Sequence, residues 1–327
     1  MNRIKLFVLT ALLSVLLVSC HNKATVSQSA TSNGFRVLGY LPARNNWIAG
    51  LDNIDLSSIT DLNLAFINPD SSGNFPANDE YRHVIEKAHA QNVRVFLSIG
   101  GGSPPAHLAG LLKPGPRAGF ITALVATTET YNFDGVDVDL ENALIDSNYA
   151  PFVSELSAAL KTKNKLMTAA LASWNADLIS KATMNEYDFI NIMSYDKTGP
   201  WNLNKPGPHS PFNMVQDDFT YFNKTRGIAA EKLFIGLPFY GYGFGKGAPQ
   251  SLSYKNIIAT YPGSENADSL TVPEGGKFYY NGIATIRDKV SFAISNNAGG
   301  VMIWQLLGDS KDSKSLLKAI NDIKNKK

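Results

Sequence analysis

From residue 35 onward the chain repeats one unit: a short run rich in β-branched and aromatic residues, a polar loop, then a stretch with helical spacing of its apolar residues. The β-rich runs fall at 35–41, 61–67, 93–99, 133–140, 166–171, 189–193, 233–237 and 300–304. Helical patterns lie between and after them, at 79–91, 116–131, 149–163, 211–226, 282–297 and 311–324 among others. Short apolar runs bounded by turn residues and alternating with helices read as parallel strands covered by helices. Eight such runs over about 290 residues predict an α/β fold of the closed (β/α)8 kind, a TIM barrel. An open doubly wound sheet is the alternative. It places a glycine-rich phosphate turn after its first strand, whereas Ser98-Ile99-Gly100-Gly101-Gly102 follows the third and lacks the dinucleotide fingerprint.

A barrel carries its chemistry at the C-terminal ends of its strands. The fourth run, Phe133-Asp134-Gly135-Val136-Asp137-Val138-Asp139-Leu140-Glu141-Asn142, has the most unusual end. Read as a strand it alternates, with Val136, Val138 and Leu140 on one face and Asp137, Asp139 and Glu141 on the other. Three carboxylates then stand about 6–7 Å apart on one face. Like charges that close raise one another's pKa, so at least one holds a proton near neutral pH. Such a ladder ending in Glu costs stability and makes sense as general-acid chemistry. A calcium loop starting at Asp137 needs Gly at its sixth position and Glu at its twelfth, and the chain has Asn142 and Asn148 there.

All four tryptophans fall at or just past a strand end: Trp47 after the first, Trp174 after the fifth, Trp201 after the sixth, and Trp304 closing the eighth. Flat aromatic faces along one rim suit the apolar C–H face of a pyranose ring, which predicts a carbohydrate cleft. Of the 327 residues 44% are hydrophobic, and the formal net charge is +2. That composition supplies a core for one large domain or two small ones. So small a charge gives no reason to expect a nucleic-acid partner. The sequence has no P-loop motif and no Cys/His cluster with metal spacing; His21, His83, His89, His107 and His209 are scattered and read as mostly surface residues.

Residues 1–20 read as a targeting segment. Asn2-Arg3-Ile4-Lys5 is a basic start, and the apolar stretch from Leu6 to Val18 is short for a bilayer span. It ends in Leu17-Val18-Ser19-Cys20, which resembles a bacterial lipobox, so Cys20 is expected to be the lipidated first residue of a mature lipoprotein. His21 stands where an Asp would favour inner-membrane retention, which points to the outer membrane. Cys20 is the only cysteine, so no intrachain disulfide forms. Residues 21–33 read as a polar tether, and 34–327 as the barrel domain.

The run Asp134-Gly-x-Asp-x-Asp-x-Glu141 resembles the signature of glycoside hydrolase family 18, the chitinases and endo-β-N-acetylglucosaminidases. Further strands match it. Ser98-Ile99-Gly100-Gly101 resembles the family's SxGG motif, whose small residues keep space beneath the catalytic strand. Met193-Ser194-Tyr195-Asp196 resembles its MxYD motif, whose Tyr and Asp hold the N-acetyl group of the sugar being cleaved. Gly236-Leu237-Pro238-Phe239-Tyr240-Gly241 resembles its G-x-P-x-Y-G, and the strand ending in Trp304 resembles the one whose Trp floors the cleavage subsite. Tyr40 and Phe66 match aromatic lining positions.

The resemblance implies substrate-assisted hydrolysis with Glu141 as acid and base, Asp139 and Asp137 behind it, Tyr195 and Asp196 on the acetamide, and no metal or organic cofactor. It implies chitin, chitooligosaccharide or N-glycan as substrate; a monomer is the default expectation. Three departures stand out: Asn142-Ala143 where an aromatic then Pro is common, Leu140 where Trp is common, and Tyr242 where Arg is common. They leave the ladder and the acetamide pair untouched. The extra lobe that some members insert between barrel strands seven and eight reads as reduced, with short segments only at 253–260 and 277–280. An endo-β-N-acetylglucosaminidase acting on the N-glycan core uses the same ladder, and a lectin-like relative would keep the barrel while commonly losing the acid, which this chain retains.

Overall fold

The computed structural model describes residues 34–42 and 46–326. The expected targeting segment, Cys20 and the tether lie outside the described residues. Along the chain run β1 (Arg36–Pro42), α1 (Trp47–Leu51), β2 (Asp61–Ala65), α2 (Asp79–His89), β3 (Arg94–Gly100), α3 (Leu108–Leu111) and α4 (Pro116–Thr130). Next come β4 (Gly135–Asp139), α5 (Tyr149–Lys161), β5 (Leu166–Leu171), α6 (Lys181–Asn185), β6 (Phe189–Ile192), α7 (Phe212–Thr220) and β7 (Leu233–Pro238). A lobe follows, with β8 (Tyr240–Phe244), β9 (Ser251–Ser253), α8 (Tyr254–Thr260), β10 (Ser269–Thr271) and β11 (Lys277–Tyr279). Then come α9 (Ile283–Ser295), β12 (Gly300–Trp304) and α10 (Leu316–Lys324). Eight strands close into a barrel in the order β1-β12-β7-β6-β5-β4-β3-β2, every neighbouring pair parallel. The (β/α)8 expectation holds.

Local chemistry accounts for the ends of these elements. Asn78 caps α2 by accepting from the Glu80 N–H at 2.9 Å, and acids fill its first turn. Pro116 opens α4, where its missing N–H costs nothing. The expected strand at 133–140 is regular only over Gly135–Asp139, preceded by Asp134, whose N–H still donates to the Val95 carbonyl at 2.8 Å. Asp134 Oδ2 accepts from the Val95 N–H at 2.7 Å and lies 2.8 Å from His89 Nε2. The helix expected from 311 begins only at Leu316. Ser315 caps it by accepting from the Lys318 N–H at 3.0 Å, and Asp309 takes the N–H groups of Leu316 and Leu317 at 2.8 and 2.9 Å. The helix expected over 211–226 is regular only to Thr220 and then widens, with the Arg226 N–H bonding the Tyr221 carbonyl at 2.9 Å.

Two cores flank the strands. Outside, the apolar faces of the strands meet the helices, and Val136, Val138 and Leu140 belong to this layer. Inside, Leu38, Phe96, Phe189, Phe234 and Met302 fill the lower barrel. The rings of Phe189 and Phe234 stack at 4.5 Å, and the Arg36 guanidinium lies 4.4 Å from the Phe189 centroid. Buried Asp61 joins Arg36 and Arg94, the first residues of β1 and β3, each through a 2.9 Å bond from Nε. The lower end is thereby plugged, which leaves the C-terminal ends of the strands for chemistry.

The insertion between β7 and β12 is more ordered than its sequence suggests. Its strands form an antiparallel sheet in the order β10-β11-β8-β9. Two glycines in the five residues of β8 hide that strand from propensity. The edge pairings Tyr240↔Ser253 and Tyr242↔Ser251 hold the β8 tyrosines beside the barrel mouth.

Candidate active site

The ladder is built as alternation requires. Asp137 and Asp139 point into the barrel and are buried, and Glu141 follows the strand at half exposure. The lowest rung is satisfied. Asp137 accepts from the Tyr40 and Ser98 hydroxyls at 2.7 Å, from Thr168 Oγ1 at 2.6 Å and from Asn191 Nδ2 at 3.3 Å. Burial pushes its carboxyl up, and these donors pull it part of the way back. Asp139 has no such shell. Its Oδ1 is buried without a hydrogen-bond partner among the described residues. Burial first, then the charges of Glu141 and Asp137, push it well above the usual carboxylate range. Glu141 is pushed up to about 7 by burial and then by the charge of Asp196. A carboxyl that titrates there can both give and take a proton near neutral pH.

Gly100 and Gly101 make room for this column. Gly100 has φ +95°, and a Cβ on it would stand 2.1 Å from the Asp139 carbonyl oxygen. That same carbonyl accepts from the Gly101 N–H at 2.8 Å. A Cβ on Gly101 would strike the Phe66 ring at 2.4 Å. Phe66 stacks on Trp304 with centroids 5.7 Å apart, and Tyr40 meets Trp304 edge-on at 5.4 Å. The Phe66 and Trp304 rings give the mouth of the barrel an aromatic floor.

The end of β6 supplies the opposite wall. Met193 and Tyr195 are buried, and among the described residues the Tyr195 hydroxyl finds only the Met302 thioether, at 3.8 Å. Asp196 sits in the left-handed region at φ +64°, a turn that Asp tolerates better than most side chains. Its Oδ1 accepts from the Tyr240 hydroxyl at 2.5 Å. The expected residues therefore converge: the ladder, Tyr195, Asp196, Tyr240, Phe66 and Trp304 share one end of the barrel.

Two expectations need correction. Trp47 is 3% exposed, packed edge-on against Tyr81 at 5.8 Å in the outer core, so it presents no face to a sugar. Its rim position lies on α1, whose apolar face turns inward to α2. Tyr40 is also buried, and it serves the ladder by donating to Asp137 rather than lining the cleft. Trp174 and Trp201 do expose their rings, at 53% and 59%. Trp174 lines a cavity of about 410 Å³ with Ser173, Asp196, Lys197, Met214, Asp217 and Asp218.

Sequence reasoning missed Thr168, Asn191, His209 and Tyr242. Thr168 and Asn191 sit on β5 and β6 strand faces that alternation directs inward, which is the signal that could have found them. His209, expected near the surface, is completely buried between Asp196 and the β8 tyrosines. Tyr242 lies 5.4 Å from Tyr240 and 5.5 Å from Trp201.

A family model, Glycosyl hydrolases family 18, matches residues 36–309. The chain belongs to this family. A family 18 chitinase from the chitin utilization locus of Flavobacterium johnsoniae superposes with a TM-score of 0.82 at 36% identity, covering 90% of this chain and 94% of that one. A chitinase from Bacteroides thetaiotaomicron gives 0.77 at 28% identity, covering 90% and 97%. Chitinase 63 of Streptomyces plicatus is 29% identical over 282 residues, which cover 72% of this chain and 46% of its own. The chain spans about half the length of the curated relatives it matches first.

The family 18 ladder carries a stability cost that can be measured. Glu141 rises from 4.5 to about 7 on folding, so ionising it costs stability as pH climbs through that interval. Discounted for its partial exposure, the penalty is about 2 kcal/mol above pH 7. Denaturant unfolding of Glu141→Gln is expected to show that gain at pH 8 and none at pH 4. Equal stabilities at both pH values would contradict the shift.

Proposed function

We propose that this barrel hydrolyses β-1,4 linkages between N-acetylglucosamine units of chitin or chitooligosaccharides, with retained configuration and with the substrate's acetamide as nucleophile. The observation that carries this reading is the contrast between rungs. Asp137 is saturated with donors, whereas Asp139 Oδ1 and the Tyr195 hydroxyl lie on the same mouth with an acceptor and a donor lacking strong partners. One acetamide answers both, its N–H to Asp139 and its carbonyl oxygen to Tyr195.

Glu141 gives its proton to the glycosidic oxygen as the bond to the anomeric carbon breaks. The acetamide oxygen of the same sugar attacks that carbon and closes an oxazolinium ring. Asp139 holds the N–H and faces the developing positive charge, with the donor-saturated Asp137 beneath it. Asp196, with Tyr240 behind it, positions the acetamide. Water then attacks the anomeric carbon, Glu141 takes its proton, and the ring opens. The route departs from the usual two-carboxylate scheme because the first nucleophile belongs to the sugar and not to a second carboxylate. Trp304 underlies the cleaved sugar, and the exposed rings of Trp174 and Trp201 suit neighbouring units.

The test uses the wild-type protein and Glu141→Gln on a chitooligosaccharide and on a high-mannose glycoprotein, with products read by mass spectrometry. Cleavage of the chitooligosaccharide is expected, with turnover lower by about 10²–10⁴ in the variant and sugar binding retained. Cleavage of the glycoprotein alone would replace this reading with an endo-β-N-acetylglucosaminidase. Binding without cleavage of either would make the barrel a lectin.

We also propose that Cys20 carries a lipid anchor at the outer membrane, supported by the apolar segment that ends in Leu17-Val18-Ser19-Cys20. Cells fed labelled palmitate are expected to label the wild type and not Cys20→Ala; equal labelling would remove the anchor.

A further inference from the structure

His209 has no part in the reaction steps above, yet it is completely buried against them. Its ring lies 4.9 Å from Tyr240 and 5.1 Å from Tyr242, centroid to centroid. Nε2 lies 3.2 Å from the Tyr240 carbonyl oxygen. A carbonyl only accepts, so Nε2 carries a hydrogen. Nδ1 faces Asp196 Oδ1 at 3.4 Å and has no hydrogen-bond partner of its own among the described residues. A neutral imidazole with its hydrogen on Nε2 turns a lone pair towards that carboxylate. Two acceptors in contact in a buried site repel. One proton between them makes the contact attractive.

The backbone around His209 is fixed by a second buried cluster. Lys289 on α9 donates to the Ser210 carbonyl at 2.7 Å, to Ser210 Oγ at 2.6 Å and to Asn281 Oδ1 at 2.7 Å. Ser210 Oγ in turn donates to the Ser194 carbonyl at 2.6 Å, and the Lys197 N–H donates to the His209 carbonyl at 2.9 Å. The loop that bears the imidazole is thus tied to the loop that bears Asp196. Such a fixed arrangement is what a positioning group needs.

We infer that His209 is a positioning residue of this site: its Nδ1 and the Asp196 carboxyl hold one proton between them, which orients Asp196 and limits the negative charge that Glu141 meets. The inference rests on the reading of Glu141 as the acid. The groups that face the imidazole are Asp196 from the end of β6, Tyr240 and Tyr242 from β8, and the Lys289 amine from α9, which burial pushes down to about 7. Burial pulls the imidazole below its usual range, and Asp196 offsets only part of that. The charge of Asp196 raises Glu141, so removing the shared proton strengthens that effect.

Two variants separate this role from packing. Asn at 209 keeps an N–H near the place of Nδ1 and has no titrating proton. Gln carries its N–H out to the place of Nε2, away from Asp196. On a chitooligosaccharide, His209→Gln is expected to lose about 10- to 100-fold in kcat, the scale of one hydrogen bond to a charged group. His209→Asn is expected to recover most of that rate. Both are expected to move the alkaline limb of the pH–rate profile upward. Equal losses in the two variants with an unmoved limb would overturn the role. If His209→Gln does not fold, an unmoved limb in His209→Asn overturns it alone.

A readout independent of turnover is the ¹⁵N NMR spectrum of the His209 ring in the wild type, which stays informative even if chitooligosaccharide is not cleaved. A hydrogen-bonded proton shared at Nδ1 is expected near neutral pH. A plain Nε2–H tautomer with bare Nδ1 across roughly pH 5–8 would contradict the inference and leave the assignment of Glu141 standing.

Discussion

The structure depends on how Asp137 is held. A carboxylate inside a barrel is costly unless donors replace the water it has lost. Here the donors come from four strands: Tyr40 on β1, Ser98 on β3, Thr168 on β5 and Asn191 on β6. In an open sheet running β1 to β6, the first and sixth strands would lie at opposite edges. Closure brings both to one carboxylate. The chemistry and the topology are therefore one constraint, because the bottom of the acid ladder requires the circle.

From that anchor the electrostatics run upward. Asp137 is compensated, Asp139 is not, and Glu141 stands at the mouth beside Asp196. Each rung is less enclosed than the one below, so the group at the mouth is the one whose proton exchanges near neutral pH. Below the ladder, the aromatic layer and the Asp61 pairs seal the barrel against water. A sealed lower end keeps the dielectric low and the repulsion among the carboxyls strong. The stability lost in stacking acids is offset by the large apolar layers on both faces of the sheet.

Much of this was legible in the sequence because period-two alternation is strong where one face is polar. Asp137, Asp139 and Glu141 could be placed on one face of β4 with no structure at all, and the strand–helix rhythm implied the barrel. Residues whose role depends on contacts distant in sequence were harder to read. Tyr40 reads as a lining aromatic, but its hydroxyl meets an acid 97 positions away. Trp47 lies at a strand end in sequence, yet on α1 it packs into the outer core. His209 looks like a stray loop histidine, because the amine that ties down its loop lies on α9, 79 positions beyond Ser210. The β8 strand was obscured by its own glycines, and with it the place of Tyr242 beside Tyr240.

The central claim is that the sugar's acetamide, held between Asp139 and Tyr195, takes the place of a second catalytic carboxylate. The most direct measurement is the anomeric configuration of the first products, followed by proton NMR immediately after enzyme meets a chitooligosaccharide. An oxazolinium route displaces twice at the anomeric carbon, so the β-anomer is expected first, with the α-anomer growing in only as the sugar mutarotates. Initial release of the α-anomer would mean a single direct displacement by water, and would contradict the role given to Asp139 and Tyr195.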